Sequence, residues 1–100
     1  IVQWAGLVTP GATVLDIAAG GGRHSVLFAG RGHRVTAVDR DTARLPVRDG
    51  VEILAADLED GSPWPLPGRK FGAAIVANYL YRPLFPALFD ALDPGGVLLY

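Results

Sequence analysis

Apolar, partly β-branched runs recur along this chain at Thr13–Ile17, Arg34–Val38, Val51–Ala55, Ala73–Ala77 and Val97–Tyr100. They are near-continuously apolar instead of alternating, the pattern of strands covered on both faces, which favours a parallel sheet over one built from hairpins. Parallel neighbours need crossover connections, so helices belong between the runs. His24 to Gly30 follows a glycine cluster and ends where Gly30 or Gly32 can take a left-handed cap, giving one short crossover helix. Pro83 to Leu92 is the clearest helix. Leu84, Leu88 and Leu92 share a face there with Phe85 and Phe89, a proline opens it, and Asp93-Pro94-Gly95-Gly96 stops it. Asp41 can cap a turn beginning at Thr42, but Pro46 lies too far in for a first-turn proline, so the second crossover is expected to be short or broken. Gly61 to Lys70, with Pro63, Pro65 and Pro67, is a loop, and Val2, Trp4, Leu7 and Val8 read as the end of an introductory helix. The order of elements is that of an α/β, doubly wound sheet, whose ligands sit outside the carboxyl ends of the strands.

Composition narrows the function classes. A chain of 100 residues, half of them apolar, supports one small domain. A net charge of -1, with Lys and Arg scattered, provides no basic field for a phosphate backbone, so nucleic acid is not expected as a partner. The absence of cysteine removes disulfides, thiolate metal sites and a thiol nucleophile, and is compatible with a cytoplasmic location. No signal peptide or membrane span is apparent, and no metal site is expected. Starting at Ile1, lacking Met and stopping at Tyr100 inside an apolar run, the sequence reads as an excerpt.

The expected strand ends carry acids. The first run leads through Asp16-Ile17-Ala18-Ala19-Gly20-Gly21-Gly22-Arg23, an acid just ahead of a glycine turn where small residues let backbone approach a ligand. Asp39 closes the second run, where a carboxylate can accept from both hydroxyls of a ribose. Asp57, after the third, can accept from an exocyclic amine such as that of adenine.

With these residues in place, the chain resembles the class I S-adenosylmethionine-dependent methyltransferases, which have a Rossmann-like, mainly parallel sheet with helices on both faces. The resemblance rests on Asp16-x-Ala18-x-Gly20-x-Gly22, on Asp39, on Asp57-Leu58, on Phe71 to Asn78, and on Leu92-Asp93-Pro94-Gly95-Gly96-Val97. Gly22-Arg23-His24-Ser25 and Gly32 to Asp39 look like the subgroup containing tellurite-resistance methyltransferases and related bacterial small-molecule enzymes. The resemblance implies that residues 1–100 form the N-terminal, cofactor-binding part of a single domain, with the first five strands of a seven-stranded sheet. It also implies S-adenosylmethionine as cofactor and methyl transfer to a small-molecule acceptor by in-line displacement. Asp16 and the backbone of Ala18 to Gly22 would hold the methionine end, Asp39 the ribose, Asp57 the adenine amine and the Leu58 amide a ring nitrogen. The Asn78 carbonyl would border the methionine amine. Two positions depart from the family pattern. Ala18 replaces the first glycine, which its methyl tolerates if φ stays negative, and Gly72 stands where an acid often opens the fourth strand.

Other residues admit plainer readings. Tyr79 and Tyr81, at the edge where substrate should arrive, either orient an acceptor or serve as core or rim aromatics. Arg40 could stack over the purine or be an exposed arginine, and Trp64 could cover the adenine or lie buried under its loop. His24 could be a general base, but it and Ser25 read most simply as first-turn helix residues, so no catalytic residue is assigned. Asn78-Tyr79-Leu80-Tyr81 is not the Asn-Pro-Pro-Tyr motif of nucleic-acid amino methylases. Two rival functions stand beside methyl transfer. One is an NAD(P)-dependent oxidoreductase, whose fingerprint Gly20-x-Gly22-x-x-Ser25 imitates imperfectly. The other is a non-catalytic nucleotide-binding scaffold.

Overall fold

The computed structural model describes residues 7–76 and 81–99. The elements run β1 (Val14–Ile17), α1 (Arg23–Gly30), β2 (Val35–Asp39), β3 (Val51–Ala55), β4 (Phe71–Val76), a 3-10 turn over Arg82–Leu84, α2 (Phe85–Asp90) and β5 (Leu92–Leu99). The strands form one sheet in the order β3-β2-β1-β4-β5, and every neighbouring pair is parallel. The chain leaves β1 on one side for β2 and later returns on its other side as β4, so the reversal that opens a ligand crevice falls at β1.

Alternate residues of the buried strands feed two cores. Val14, Val35, Ala73 and Ile75 pack with Phe28 of α1 on one face, while Leu15, Ile17, Val38, Ala74 and Val76 pack with Leu84 and Leu88 on the other. This two-sided burial explains the near-continuous apolar runs of β1 and β4. β3 is an edge strand and only half covered, with Glu52 exposed. Near the strands' amino ends, buried Thr36 donates to Glu52 (3.1 Å) and accepts from Arg69 (3.2 Å), while Arg69 pairs with Glu52 at 2.8 Å. That polar cluster is at the opposite end of the sheet from the acids discussed below.

The β2–β3 connection is broken, in line with expectation, and the connection into β5 departs from it. No helix joins β2 to β3: residues 40–50 are turns, in which Asp41 accepts from the Ala43 amide (3.1 Å) and Leu45 is buried. The helix expected over Pro83–Leu92 is a 3-10 turn followed by α2, which stops at Asp90. Leu92 is taken by the sheet instead, paired with Phe71, while the Phe71 amide donates to the Ala91 carbonyl at 2.7 Å. Asp93 to Gly96 then bulge out before pairing resumes at Val97 with Ala73, so β5 begins five residues earlier than the apolar run. Phe89 is 57 % exposed and meets Phe85 edge-on at the surface instead of entering the core. Of the introductory segment, Val8 packs into the α1-side core and Leu7 is exposed, while Val2 and Trp4 lie outside the described residues.

Close approach of neighbouring backbone accounts for glycine at position 72. A Cβ built there would stand 2.5 Å from the Ala12 Cβ, because the Gly72 and Ala73 amides both bond the Thr13 carbonyl and draw that segment close. Gly72→Ala is therefore expected to lose about 1 to 3 kcal/mol by overpacking, read from urea unfolding, and the added loss should largely disappear in an Ala12→Gly background.

Candidate functional site

The site is built by register. Ile17 of β1 pairs with Val38 of β2, and Asp39 pairs with Ala55 of β3, so the three chains leave the sheet at nearly the same level. Backbone bonds hold them together past that point: the Ala19 amide donates to the Val38 carbonyl (3.1 Å) and the Ala56 amide to the Asp39 carbonyl (3.0 Å). Asp16, Asp39 and Asp57 are thereby gathered along one rim.

Two clefts open on this rim and meet at Ala18, which lines both. The first, about 330 Å³, is lined by Asp39, Arg40, Asp57 and Leu58, with Ala56 and Glu59 beside them. The second, about 310 Å³, runs over Asp16 and Ala18 to Gly21 and ends at Arg23 and His24. Of the predicted residues, Asp16, Ala18, Gly20, Asp39, Arg40, Asp57 and Leu58 are brought together. Gly22 lines neither cleft. It has φ +82° at the start of α1, and a Cβ there would stand 2.8 Å from Pro46 Cδ, so its part is turn geometry and close packing against the β2–β3 loop. Tyr81 is in a separate depression with Trp64, which adjoins the first cleft through Asp57 and Leu58. Trp64 packs on the α2-side core and donates to the Leu66 carbonyl at 3.1 Å, the plainer of its two readings. Asn78 and Tyr79 lie outside the described residues.

Each acid is differently placed. Asp39 accepts from the Gly20 amide at 2.8 Å through Oδ2 and from the Asp41 amide at 3.0 Å through Oδ1, so it shapes the glycine turn and keeps lone pairs for a ligand. Asp57 is exposed and accepts from the Glu59 amide at 2.9 Å, a local turn bond made on the cleft wall. Asp16 is only 2 % exposed. Its Oδ2 accepts from the Ser25 hydroxyl at 2.6 Å, and Ser25 itself is buried. Burial pushes the Asp16 carboxyl up to about 6, against the lowering effect of Ser25, and the Asp39 charge adds to the rise. The His24 imidazole is held below its ordinary range by burial and by Arg23.

Two sequence expectations change here. Ala18 has φ +55°, not the negative φ under which its methyl is free of cost. Ser25 is more than a first-turn residue, being the buried partner of Asp16. Its signal was position: Ser25 and Phe28 are spaced i, i+3 on the buried face of α1.

No protein-family model matches the chain, and no curated protein does. Solved structures do match. A glycopeptide N-methyltransferase complexed with S-adenosyl-L-homocysteine is 27% identical with a TM-score of 0.72, over 97% of this chain and 49% of that one. An S-adenosylmethionine-dependent methyltransferase from Mesorhizobium loti is 25% identical with a TM-score of 0.73, over 96% of this chain and 51% of that one. This chain has the Rossmann-like methyltransferase fold. Coclaurine N-methyltransferase, bound to N-methylheliamine and S-adenosylhomocysteine, superposes with a TM-score of 0.78 at 19% identity, over 97% of this chain and 33% of that one. The chain thus spans between about a third and a half of these proteins. Among the described residues, no group of three or more His, Asp or Glu side chains is arranged to hold a metal within this fold. No helix among them is long and apolar enough to cross a membrane.

Two outcomes follow for the methyltransferase fold as this chain builds it. A left-handed alanine costs about 1 to 2 kcal/mol, and glycine's extra chain entropy returns part of that, so Ala18→Gly should raise stability by about 0.5 to 1 kcal/mol in urea unfolding. Asp16 has a folded pKa above its unfolded one, so its contribution is complete below about 3.8 and lost as pH rises through about 6. Asp16→Asn should flatten that slope and add up to about 3 kcal/mol near pH 7, read as the difference in Tm between variant and parent across the pH range.

Proposed function

We propose that the joined clefts bind S-adenosylmethionine and that the chain is the cofactor-binding part of an enzyme transferring its methyl group to a small-molecule acceptor. The observation that carries this reading is the convergence of Asp16, Asp39 and Asp57 on two clefts sharing Ala18. The donor set fits such a ligand. Asp39 lines the first cleft with two carboxylate oxygens for a ribose, and Asp57 and Leu58 stand on the same wall for the adenine. In the second cleft the buried carboxyl of Asp16 faces the same space as Arg23, so a zwitterionic amino-acid end finds a partner for each charge. Backbone at Ala18 to Gly21 approaches closely because no large side chain intervenes. Arg40 borders the adenosine cleft.

When bound, S-adenosylmethionine supplies a methyl carbon activated by its sulfonium. The chain's own contribution is position, since in-line displacement gains most from fixing the angle and distance of approach. Asp39, through Gly20, holds the turn that separates the two clefts, and Asp16 sets a negative floor for the ammonium. The absence of a basic field and the names of the structural neighbours, coclaurine and glycopeptide N-methyltransferases, support a small acceptor over a nucleic acid. Within Gly22-Arg23-His24-Ser25, which carries the likeness to the tellurite-resistance subgroup, Arg23 and His24 line the methionine-side cleft.

Calorimetry tests this reading. S-adenosylhomocysteine should bind, and Asp39→Ala should weaken it by about 1 to 3 kcal/mol, the scale of hydrogen bonds to a charged group. Stabilisation by NAD with no response to S-adenosylhomocysteine would reverse the assignment.

A further inference from the structure

Ser25 makes no contact with either cleft, yet it is 1 % exposed and its hydroxyl bonds the one carboxyl that floors the methionine-side cleft. A buried hydroxyl on a helix has a near alternative in the backbone carbonyl one turn back. Here it is turned across to β1 instead, at 2.6 Å, a length typical of a bond to a charged acceptor. We propose that Ser25 is a positioning residue that holds Asp16 in its ionised, cleft-facing state, and so makes the site selective for adenosyl ligands that carry a free amino-acid ammonium. This rests on the cofactor reading given above.

The surroundings of Asp16 leave this task to Ser25. From β2, Asp39 opposes ionisation of Asp16 by like charge. From β4 the residue in register with Asp16 is Ile75, which is apolar and fully buried. From α1, Arg23 and His24 line the cleft, but burial and Arg23 disfavour the charged form of His24, and Arg23 makes no ion pair with Asp16. Ser25 is the neighbour that favours the carboxylate, through its hydroxyl and its amide. An ammonium entering the cleft supplies the missing positive charge, and below about pH 6 its binding releases the proton that Asp16 otherwise keeps.

The probes are S-adenosylhomocysteine, which has the ammonium, and 5′-methylthioadenosine, which has the same adenosine but no amino-acid group. In the parent chain, affinity for S-adenosylhomocysteine should rise as pH rises through about 6, while that for methylthioadenosine stays flat. Ser25→Ala should weaken S-adenosylhomocysteine about tenfold near neutral pH, leave methylthioadenosine within about twofold, and move the pH midpoint upward. Ser25→Cys, a weak donor of similar size, should fall between the two and serves if the alanine variant fails to fold. In an Asp16→Asn background the Ser25 effect and the pH dependence should both vanish. Equal weakening of both ligands, or an unmoved midpoint, would overturn the proposal while leaving the cofactor reading intact. A parent chain that binds neither probe would overturn both.

Discussion

One hydrogen bond organises the carboxyl edge of this sheet: the Gly20 amide donates to Asp39 Oδ2 at 2.8 Å, across 19 residues of sequence. It ties the turn after β1 to the end of β2, and it does so with a carboxylate that also lines the first cleft. The parallel register delivers the strand ends to a common level, but it cannot determine where the turn beyond β1 goes. The Asp39 bond does, and the Asp41 amide on its other oxygen keeps the carboxylate from rotating away. Both clefts depend on that turn, since Ala18 borders each of them.

The same edge concentrates unfavourable features that a purely structural surface would not keep. Ala18 is held at φ +55°, and Asp16 is an acid buried to 2 % exposure with another carboxylate acting on it. Local strain and a buried ionisable group both cost stability, and both are commonly found where a ligand is to be held. Among the described residues Ala18 is the one non-glycine residue with positive φ, and Asp16 is the one buried acid. The tension is therefore confined to the strand ends, which supports their assignment as a binding edge.

Much of this was legible in the sequence because it follows from periodicity and from short-range placement. Near-continuous apolar runs revealed a sheet covered on both faces, and acids placed at the ends of β-runs had to reach its carboxyl edge once the strands were parallel. What sequence could not reveal depended on close approach between segments far apart in the chain. The capture of Leu92 by Phe71 overrode a helical pattern that looked complete, because a parallel pairing and the Phe71 amide to Ala91 bond outweighed one more helical turn. The left-handed Ala18 was equally hidden, since alanine gives no sign of positive φ, and the direction of Ser25 emerged only when α1 was laid against β1.

The glycine turn itself bears on which nucleotide this edge can hold. A dinucleotide site presents free turn amides to a pyrophosphate at the start of the following helix. Here the Gly20 amide is already committed to Asp39, and a buried carboxyl lies directly beneath the turn at Asp16. A pyrophosphate placed there would lose one donor and meet two acids, whereas the ammonium of an amino-acid end would meet those same acids as partners. The charge of the turn thus works in one direction only. That asymmetry is what separates a sulfonium nucleoside from a dinucleotide on a scaffold that is otherwise suited to either.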